Sequence, residues 1–299
     1  MKILVTGANG QLGRAINVLA RDSGHELINT DAPGVKPVGI IKKLVSLDIT
    51  QFYEVDAVMH CYKPDMVINC AAYTNVNGCE SNKELAYKVN SIGAENLAKG
   101  AELAGAKMVQ VSTDYVFDGT ADKPYVEDDP LNPQSVYGIT KQKGEKLSQK
   151  HLSELYIVRT AWLYGDGNNF VKTMLSLAKQ GKPLRVVNDQ FGTPTSAMEL
   201  ARMIFQLITK EEYGIYHATC EGSTNWYEFA KKIFELAKID ADLSPVTSDE
   251  YVTPAKRPAY SVLENRHFNE VFGTRMMQWE DALVEYMESG VIREYLASL

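Results

Sequence analysis

Three regularly spaced glycines near the start of the chain limit what it can fold into. The apolar run Lys2–Thr6 predicts a buried strand, and Gly7, Gly10 and Gly13 follow it at once. The first glycine allows a tight turn, the second allows a pyrophosphate to approach the backbone, and the third allows the next helix to pack against the sheet. Free N–H groups at the start of that helix attract phosphate. The turn therefore predicts a dinucleotide site between a strand and a helix.

Strands and helices alternate after this turn. The apolar patterns predict strands at Lys2–Thr6, Glu26–Thr30, Met66–Ala72, Lys107–Ser112, 155–162 and 183–187. They predict helices at Gln11–Asp22, from a cap at Asp48 to about Tyr62, at Glu84–Ala104, 136–149, 169–179, 197–209, from Trp226 to about Lys238, and at about 279–288. Such alternation is typical of an α/β fold in which crossover helices cover a parallel sheet. We therefore predict a doubly wound, Rossmann-like sheet.

The alternation becomes less regular after Gly214, and residues 245–258 are predicted to form a loop. A chain of 299 residues with 45% hydrophobic side chains can hold two closely joined domains. We predict a dinucleotide-binding domain over residues 1–165, to which some later segments return. Residues 166–299 are predicted to form a smaller α/β substrate-binding domain. No linker sequence marks the boundary.

Charge and cysteine content argue against several classes of protein. The chain has 31 basic and 38 acidic side chains, for a net charge of −7. An acidic chain lacks the basic surface that nucleic-acid binding requires. The four cysteines form no C-x-x-C pair, the opening apolar run is too short for a signal peptide, and no stretch has the length that spans a bilayer. We therefore predict a cytoplasmic protein without a nucleic-acid or membrane partner.

Two charged side chains near the glycine turn bear on the choice of cofactor. Asp31 ends the second predicted strand, where a carboxylate can bind the ribose hydroxyls of NAD and repel the extra phosphate of NADP. Arg14 follows the last glycine and can favour that phosphate, unless it is simply an exposed helix residue. Because the two side chains favour opposite cofactors, the sequence leaves NADH and NADPH both open.

A tyrosine and a lysine lie four residues apart in the helix predicted at 136–149. This spacing places Tyr137 and Lys141 on one face of the helix. Free tyrosine has a pKa of about 10, and a neighbouring ammonium is expected to lower it, so that the pair can deliver a proton to a carbonyl oxygen. The alternative is an ordinary pair on a surface helix, because this spacing is common by chance.

Polar side chains also follow the strand predicted at Lys107–Ser112. Ligands in such folds bind beyond the carboxyl ends of the strands. A hydroxyl from Thr113 can polarise a substrate oxygen there, and Asp114 is a second polar group at the same place. The alternative is an ordinary turn, in which threonine and aspartate are favoured anyway.

Several segments together resemble the extended short-chain dehydrogenase/reductases, and among these the dTDP-4-dehydrorhamnose reductase family. The resemblance rests on the glycine turn, Asn69–Thr74, Ser112–Phe117, Tyr137–Lys141, Arg159–Trp162, Gly167–Phe170, Asp189–Pro194 and Arg257–Pro258. These segments are spread over nearly the whole chain. The resemblance implies NAD(P)H-dependent reduction of the keto group of a dTDP-linked keto-deoxy sugar, dTDP-4-dehydrorhamnose, to give dTDP-L-rhamnose.

The resemblance also implies which residues form the site. It implies a catalytic triad of Thr113, Tyr137 and Lys141, in which Tyr137 donates the proton. The residues implied to contact NADP(H) or NAD(H) are Gly7, Gly10, Gln11, Leu12, Gly13, Asp31, Asp48, Ile49, Ala71, Ala72, Tyr73, Tyr137 and Lys141. The residues implied to contact the sugar nucleotide are Thr113, Asp114 and Trp162. Trp162 has the alternative of a core aromatic, and Arg257 either meets the diphosphate or forms a surface ion pair.

Some members of this family form a dimer around Mg²⁺ held by glutamates. In this chain Ala15 stands at one of those positions, and Glu199 matches another. A single carboxylate is a poor Mg²⁺ site, so we predict neither a bound metal nor a dimer of that kind. We expect a monomer or a homodimer.

Two other functions are compatible with the same residues. A related nucleotide-sugar reductase or an epimerase would share Tyr137 and Lys141 and differ in the sugar pocket. An epimerase keeps its NAD bound, whereas a reductase releases the oxidised cofactor. A regulatory subunit of methionine adenosyltransferase resembles the same family and would bind a partner protein without catalysis. The presence of Thr113, Tyr137 and Lys141 argues against that second role and leaves it open.

Overall fold

The computed structural model describes residues 1–299. In chain order its strands are β1 (Lys2–Thr6), β2 (Glu26–Asp31), β3 (Val45–Ser46), β4 (Met66–Asn69), β5 (Lys107–Thr113), β6 (Leu155–Thr160), β7 (Leu163–Tyr164), β8 (Leu184–Val187), β9 (Phe191–Gly192), β10 (Thr195–Ser196), β11 (Gly214–His217), β12 (Thr224–Asn225) and β13 (Leu243–Val246). Its helices are α1 (Gln11–Ala20), α2 (Phe52–Tyr62), α3 (Val76–Ser81), α4 (Lys83–Tyr87), α5 (Ala94–Ala104), α6 (Val136–His151), α7 (Phe170–Lys179), α8 (Ala197–Leu207), α9 (Trp226–Ala237), α10 (Arg266–Phe272), α11 (Trp279–Met287) and α12 (Gly290–Ser298). None of these helices is long and apolar enough to cross a membrane.

Seven parallel strands form the central sheet, in the order β11-β6-β5-β4-β1-β2-β3. The chain leaves β1 toward β2 and β3 on one side, then crosses back to build β4, β5, β6 and β11 on the other. The direction reverses between β1 and β4, and in such sheets ligands bind beyond the carboxyl ends of the strands at this point. The predicted doubly wound, Rossmann-like α/β fold is therefore confirmed.

The first strand shows why the sheet is covered on both faces. Ile3, Leu4 and Val5 are all fully buried, which matches the unbroken apolar run expected of a parallel strand. Ile3 and Val5 belong to the cluster that contains the inner faces of α1 and α8. Leu4 points to the opposite layer, formed by α2 and α5. Successive residues of one strand thus reach different helical layers.

The later half of the chain contributes to two cores. α7, α9, α11 and β8 enclose a separate apolar cluster that includes Leu175, Phe229 and Leu283. α8 and β11 instead return to the sheet, where Leu200 and Tyr216 lie in its core. Such a return of later segments was predicted, and the division at residue 165 stays a prediction.

The predicted cap at Asp48 is wrong. Helix α2 begins at Phe52 after Gln51, which makes no side-chain cap hydrogen bond. The Asp48 carboxylate instead accepts hydrogen bonds from the backbone N–H and the hydroxyl of Thr50, at 2.9 and 2.8 Å. Aspartate often bonds to the backbone two residues on, and this local turn competes with helix capping.

Short or interrupted elements account for the other differences. β3 and β11 were not predicted, and β13 overlaps the predicted loop at 245–258. Runs of two to four residues carry little periodicity. Pro245 is tolerated because β13 pairs only with β8, at an edge. The helix predicted at Glu84–Ala104 contains a π-helical turn over Lys88–Gly93.

Candidate active site

A cleft of about 800 Å³ opens at the carboxyl ends of the parallel strands. Its walls come from the segments that follow β1, β2, β4, β5 and β6, from one face of α6, and from parts of the later half of the chain. The sequence-predicted site residues that line it are Gly7, Gly10, Gln11, Leu12, Asp31, Asp48, Ile49, Ala71, Ala72, Thr113, Asp114, Tyr137, Lys141 and Trp162. Gly13 and Tyr73 lie outside this lining.

The glycine turn has the geometry that the sequence predicts. Gly7 has a φ of +60°, and a Cβ there would lie 2.8 Å from the backbone nitrogen of Ala71. A Cβ at Gly13 would overlap the carbonyl oxygen of Ala8, so this glycine packs the turn itself. Helix α1 starts after Gly10 without a side-chain cap and without an acidic residue in its first turn. Its first N–H groups are therefore available to an anion.

Asp31 and Arg14 are both held by the glycine turn. The Asp31 carboxylate accepts hydrogen bonds from the backbone N–H groups of Asn9 and Ala32, at 3.0 and 2.9 Å. Arg14 donates through Nε to the carbonyl oxygen of Asn9 at 2.8 Å, and its Nη1 lies 3.1 Å from Asp166 Oδ2. The aspartate is thus fixed at the cleft, whereas the arginine charge is paired with a residue of the later half of the chain.

Tyr73 supports the segment after β4. Its backbone N–H donates to Asn90 Oδ1 at 2.8 Å, and a Cβ at Gly78 would meet its hydroxyl. These contacts fix the segment that carries Ala71 and Ala72 into the cleft. Direct contact of Tyr73 or Gly13 with a cofactor stays a prediction.

A buried chain of polar side chains links β1, β4 and β5 to helix α6. Thr6 donates to Asn69 Oδ1 at 2.6 Å, and Asn69 donates to Gln110 Oε1 at 2.7 Å. Gln110 and the ammonium of Lys141 both donate to the carbonyl oxygen of Val111, at 2.8 and 2.6 Å. The position of the lysine is therefore set by the sheet beneath it.

The start of α6 places Tyr137 beside the end of β5. Ser135 caps the helix by accepting a hydrogen bond from the N–H of Gly138, and a Cβ on that glycine would overlap the carbonyl oxygen of Tyr115. The rings of Tyr115 and Tyr137 meet edge to face at 5.5 Å. Thr113 donates its hydroxyl proton to Asp114 Oδ1 at 2.8 Å. Donation by Thr113 to a substrate oxygen would require that hydroxyl to turn away from Asp114.

Burial sets the protonation of these groups. Burial raises the pKa of Tyr137, and the charge of Asp114 raises it further, while a hydrogen bond with Thr113 lowers it. Burial lowers the pKa of Lys141 to about 8, opposed by the charge of Glu145. The predicted lowering of the Tyr137 pKa by Lys141 is therefore wrong for this arrangement, because the ammonium lies on the Val111 carbonyl and burial dominates. Tyr137 is a neutral phenol that holds its proton.

Asp114 is a buried acid with an incomplete set of partners. Burial raises its pKa to about 6, against the lowering effect of the nearby Ser261 hydroxyl and of the hydrogen bond from Thr113. Its second oxygen, Oδ2, has no hydrogen-bond partner. A polar atom in this condition is destabilising until something bonds to it.

Two stacked tryptophans face the cleft. Trp162 has a φ of +48°, which is unusual for a residue with a side chain, and its ring stacks on that of Trp226 with centroids 3.6 Å apart. A Cβ at Gly192 would overlap the Trp162 ring, so this glycine makes room for it. Trp226 was not among the predicted site residues. An aromatic side chain at the start of a capped helix gives no sequence signal of a ligand contact.

A buried ion pair lies behind the cleft. Arg159 and Glu145 are both almost fully buried, and their side chains form two hydrogen bonds, at 2.9 and 3.1 Å. Ser112 also donates to the Glu145 carboxylate. Glu145 stands one helical turn beyond Lys141. An arginine within an apolar strand such as β6 signals a buried partner, although the sequence does not say which one.

Arg257 lines the cleft rather than forming the surface ion pair that was its alternative. Its guanidinium donates to the hydroxyl of Tyr115 at 2.9 Å and to Asn77 Oδ1 at 3.5 Å. Glu199, the possible metal ligand, is engaged by Arg202 at 3.1 Å and by the N–H of Met277 at 2.9 Å. The structure contains no group of three or more metal-binding side chains.

Three comparisons relate the chain to known proteins. The family model described as the RmlD substrate binding domain matches residues 1–291. The spore coat polysaccharide biosynthesis protein SpsK of Bacillus subtilis is 41% identical over 288 residues, which cover 96% of this chain and 97% of that protein. A dTDP-4-dehydrorhamnose reductase structure from Clostridium acetobutylicum is 48% identical, with a TM-score of 0.90 and coverage of 96% and 99%. Another, from Bacillus anthracis in complex with NADP, is 37% identical, with a TM-score of 0.88 and coverage of 96% and 98%.

Proposed function

The chain belongs to the RmlD substrate-binding family, that of the dTDP-4-dehydrorhamnose reductases, as its motifs predicted, and from this premise we propose that it reduces dTDP-4-dehydrorhamnose to dTDP-L-rhamnose. The hydride donor is NADH or NADPH. One observation carries the proposal: the glycine turn and the Tyr137–Lys141 pair face the same cleft of about 800 Å³. A dinucleotide site and an acid–base pair are what reduction of a bound ketone requires.

The residues on the β1 side of the cleft fit a dinucleotide. The uncapped start of α1 after Gly10 suits a pyrophosphate. The buried side-chain oxygen Oε1 of Gln11 lacks a partner within the protein, and as an acceptor it suits a hydroxyl or amide group of the cofactor. Asp31 is positioned to bind ribose hydroxyls. When bound, the nicotinamide supplies the hydride. The protein's own contribution is to bind, orient and protonate.

Proton delivery falls to Tyr137. Its raised pKa keeps the phenol protonated near neutral pH, so the proton can move from Oη to the keto oxygen as the carbonyl carbon is reduced. Lys141 donates to the Val111 carbonyl in this arrangement, so stabilisation of the phenolate that remains requires its ammonium to turn toward Tyr137. Thr113 and Asp114 hold the ketone end of the sugar, and Trp162 and Arg257 contact the sugar and the diphosphate. This assignment of residues is part of the proposal.

The test follows NADH and NADPH absorbance with purified protein and dTDP-4-dehydrorhamnose generated in place. We expect a loss of absorbance that depends on the sugar nucleotide, with one dTDP-L-rhamnose formed for each cofactor oxidised. That stoichiometry excludes an epimerase, which returns its hydride. A cofactor that binds without turnover would contradict the proposal, and capture of a partner protein would then favour the regulatory role. Reactions without the sugar nucleotide serve as the control.

Three further points belong to the same proposal. We place the reaction in the cytoplasm, because all four cysteines are free thiols, as a reducing compartment keeps them. The choice between NADH and NADPH follows from the same assay, which compares kcat/KM for the two cofactors. A monomer or a homodimer is expected, and sedimentation of the purified chain distinguishes the two.

A further inference from the structure

Three buried side-chain oxygens that line the cleft have no hydrogen-bond partner within the protein. They are Gln11 Oε1, Asp114 Oδ2 and Thr160 Oγ1. The first two belong to residues already assigned to the cofactor and the sugar nucleotide. Thr160 is 7% exposed and has no assigned role. A buried polar atom that is left unpaired destabilises a protein, so its persistence needs a reason.

The position of Thr160 points to the sugar side of the cleft. It is the last residue of β6 and the register partner of Thr113, the last residue of β5. Paired residues of parallel strands present their side chains on the same face of the sheet, and both residues line the cleft. The glycine turn follows β1, which is separated from β6 by β4 and β5. Thr160 therefore lies on the far side of Thr113 from the phosphate-binding turn.

The Thr160 hydroxyl makes no hydrogen bond within the protein, so a valine at this position would lose none. Valine has the same branched shape and suits the end of a buried strand equally well. The hydroxyl is the whole difference between the two side chains, and within the protein it is unused. The structure thus separates the contribution of Thr160 to folding from its contribution to ligand binding.

We propose that Thr160 is a positioning residue that forms a hydrogen bond with the sugar hydroxyl next to the keto carbon. The inference rests on the proposed function and extends it by one residue. Tyr137 and Thr113 form hydrogen bonds with the keto oxygen, and Thr160 binds the neighbouring hydroxyl from the β6 side. The ring is thereby prevented from rotating the ketone away from Tyr137. A sugar that lacks this hydroxyl would be a poorer substrate.

The test compares Thr160→Val and Thr160→Ser with the wild type. We expect Thr160→Val to lower kcat/KM for the sugar nucleotide by about 10- to 100-fold, the effect of leaving one substrate hydroxyl unpaired in a buried site. Cofactor affinity should be unchanged, and the Tm should stay the same or rise because an unpaired polar atom is removed. Thr160→Ser should restore most of the activity, because it keeps the hydroxyl.

Thr193→Val is the matched control. Thr193 is fully buried, does not line the cleft, and donates its hydroxyl to the carbonyl oxygen of Gly222 at 2.7 Å. Its replacement should lower the Tm and leave kcat/KM nearly unchanged, the reverse of Thr160→Val.

Three outcomes would overturn this inference alone. An active wild type with an equally active Thr160→Val variant would show that the hydroxyl touches nothing. Weaker cofactor binding by that variant would assign Thr160 to the nicotinamide instead. A lower Tm, with no rescue by serine, would make its role structural. A wild type that does not reduce dTDP-4-dehydrorhamnose would overturn the proposed function and this inference together.

Discussion

The two ends of the cleft are built in different ways. The cofactor side comprises the segments after β1, β2 and β4, and most of its polar groups are bonded within the protein. Asp31 accepts hydrogen bonds from two backbone N–H groups, and hydrogen bonds join Thr6 to Asn69 and Asn69 to Gln110. Gln11 Oε1 is the exception. The backbone and the sheet therefore hold this side in place.

The sugar side comprises the segments after β5 and β6 together with Trp226 and Arg257. Here Asp114 Oδ2 and Thr160 Oγ1 are buried without partners, and Trp162 has an unusual backbone conformation. Trp226 and Arg257 come from segments far along the chain. Side chains rather than backbone therefore define this side. Under the proposed function, this contrast means that the substrate is recognised by side chains whose polar atoms are left unpaired, whereas the cofactor is recognised by groups that the fold holds in place.

Replacement of Tyr137 by phenylalanine should separate the two sides most sharply. The variant loses the proton donor and keeps the ring that packs on Tyr115. We expect kcat to fall by about 10²- to 10⁴-fold, the usual contribution of general acid catalysis. Cofactor affinity should remain nearly unchanged, because the cofactor side is held by other groups. Single-turnover kinetics and cofactor titration measure the two quantities separately.

Near-normal turnover of Tyr137→Phe would contradict the acid role, and a matching loss of cofactor affinity would contradict the independence of the two sides. Ile139→Ala is a suitable control, because this residue of the same helix is 51% exposed. Its replacement should change neither kcat nor cofactor affinity.

The second effect concerns the ion pair beneath the sugar side. Glu145→Gln removes the negative charge that neutralises the buried Arg159 guanidinium. Removal of one partner of a buried ion pair destabilises a protein by about 3–5 kcal/mol. We expect the low end of this range, because glutamine can keep some of the hydrogen bonds. Urea unfolding measures the change. Glu84→Gln, which breaks an exposed pair with Lys88, should have little measurable effect and is the control.

Glu145→Gln should also lower the pKa of Lys141, because the charge of Glu145 raises that pKa in the wild type. The alkaline limb of the pH–rate profile should therefore move to lower pH in this variant. If neither the stability nor the alkaline limb of the pH–rate profile changed, the Arg159–Glu145 pair would contribute neither to folding nor to the charge of Lys141.

Sequence reasoning was strongest where the fold depends on local pattern. The positions of Gly7, Gly10 and Gly13 follow from their conformational freedom and from the strand and helix around them. The spacing of Tyr137 and Lys141 placed both in the cleft, because four residues make about one helical turn. These features depend on residues that are close together in the sequence, so the amino-acid sequence alone is enough to predict them.

The sugar side was found only in part, because its contacts join distant residues. Nothing near Trp226 signals that its ring will stack on Trp162, and nothing near Arg257 signals its bond to Tyr115. The protonation of Tyr137 was also mistaken, since it depends on burial and on where the lysine ammonium lies. Thr160 lay within a recognised motif, but its unused hydroxyl is visible only once its surroundings are known.

The third prediction concerns Asp114, whose buried carboxylate should destabilise the folded protein. Burial raises the pKa of Asp114 to about 6, above its ordinary value of 3.8. The folded state therefore binds this proton more tightly than the unfolded state, and the stabilisation is lost as the pH rises from about 4 through about 6. Above that range, Asp114→Asn should be more stable than the wild type by about 2–3 kcal/mol, whereas near pH 4 the two should be equal.

Urea unfolding of both proteins at several pH values gives this difference directly, because all other titrating groups are shared. A difference that does not vary with pH would show that Asp114 is not the source. The same variant should turn over more slowly, because it alters the group that orients Thr113. A gain in stability together with a loss of activity is the pattern expected of a binding side that is left incomplete.

The smallest effect concerns Trp226. Its stack on Trp162 contributes about 0.5–1.5 kcal/mol beyond the burial of the rings, so Trp226→Phe should raise KM for the sugar nucleotide by roughly 2- to 10-fold. Cofactor affinity should not change, because Trp226 lies on the sugar side alone. Trp279→Phe is the control: Trp279 is buried in the separate core of the later half, so its loss should lower the Tm and spare KM. If instead Trp226→Phe weakened cofactor binding, Trp226 would contribute to both sides of the cleft. The distinction between a cofactor side set by the sheet and a sugar side set by side chains would then be wrong at this residue.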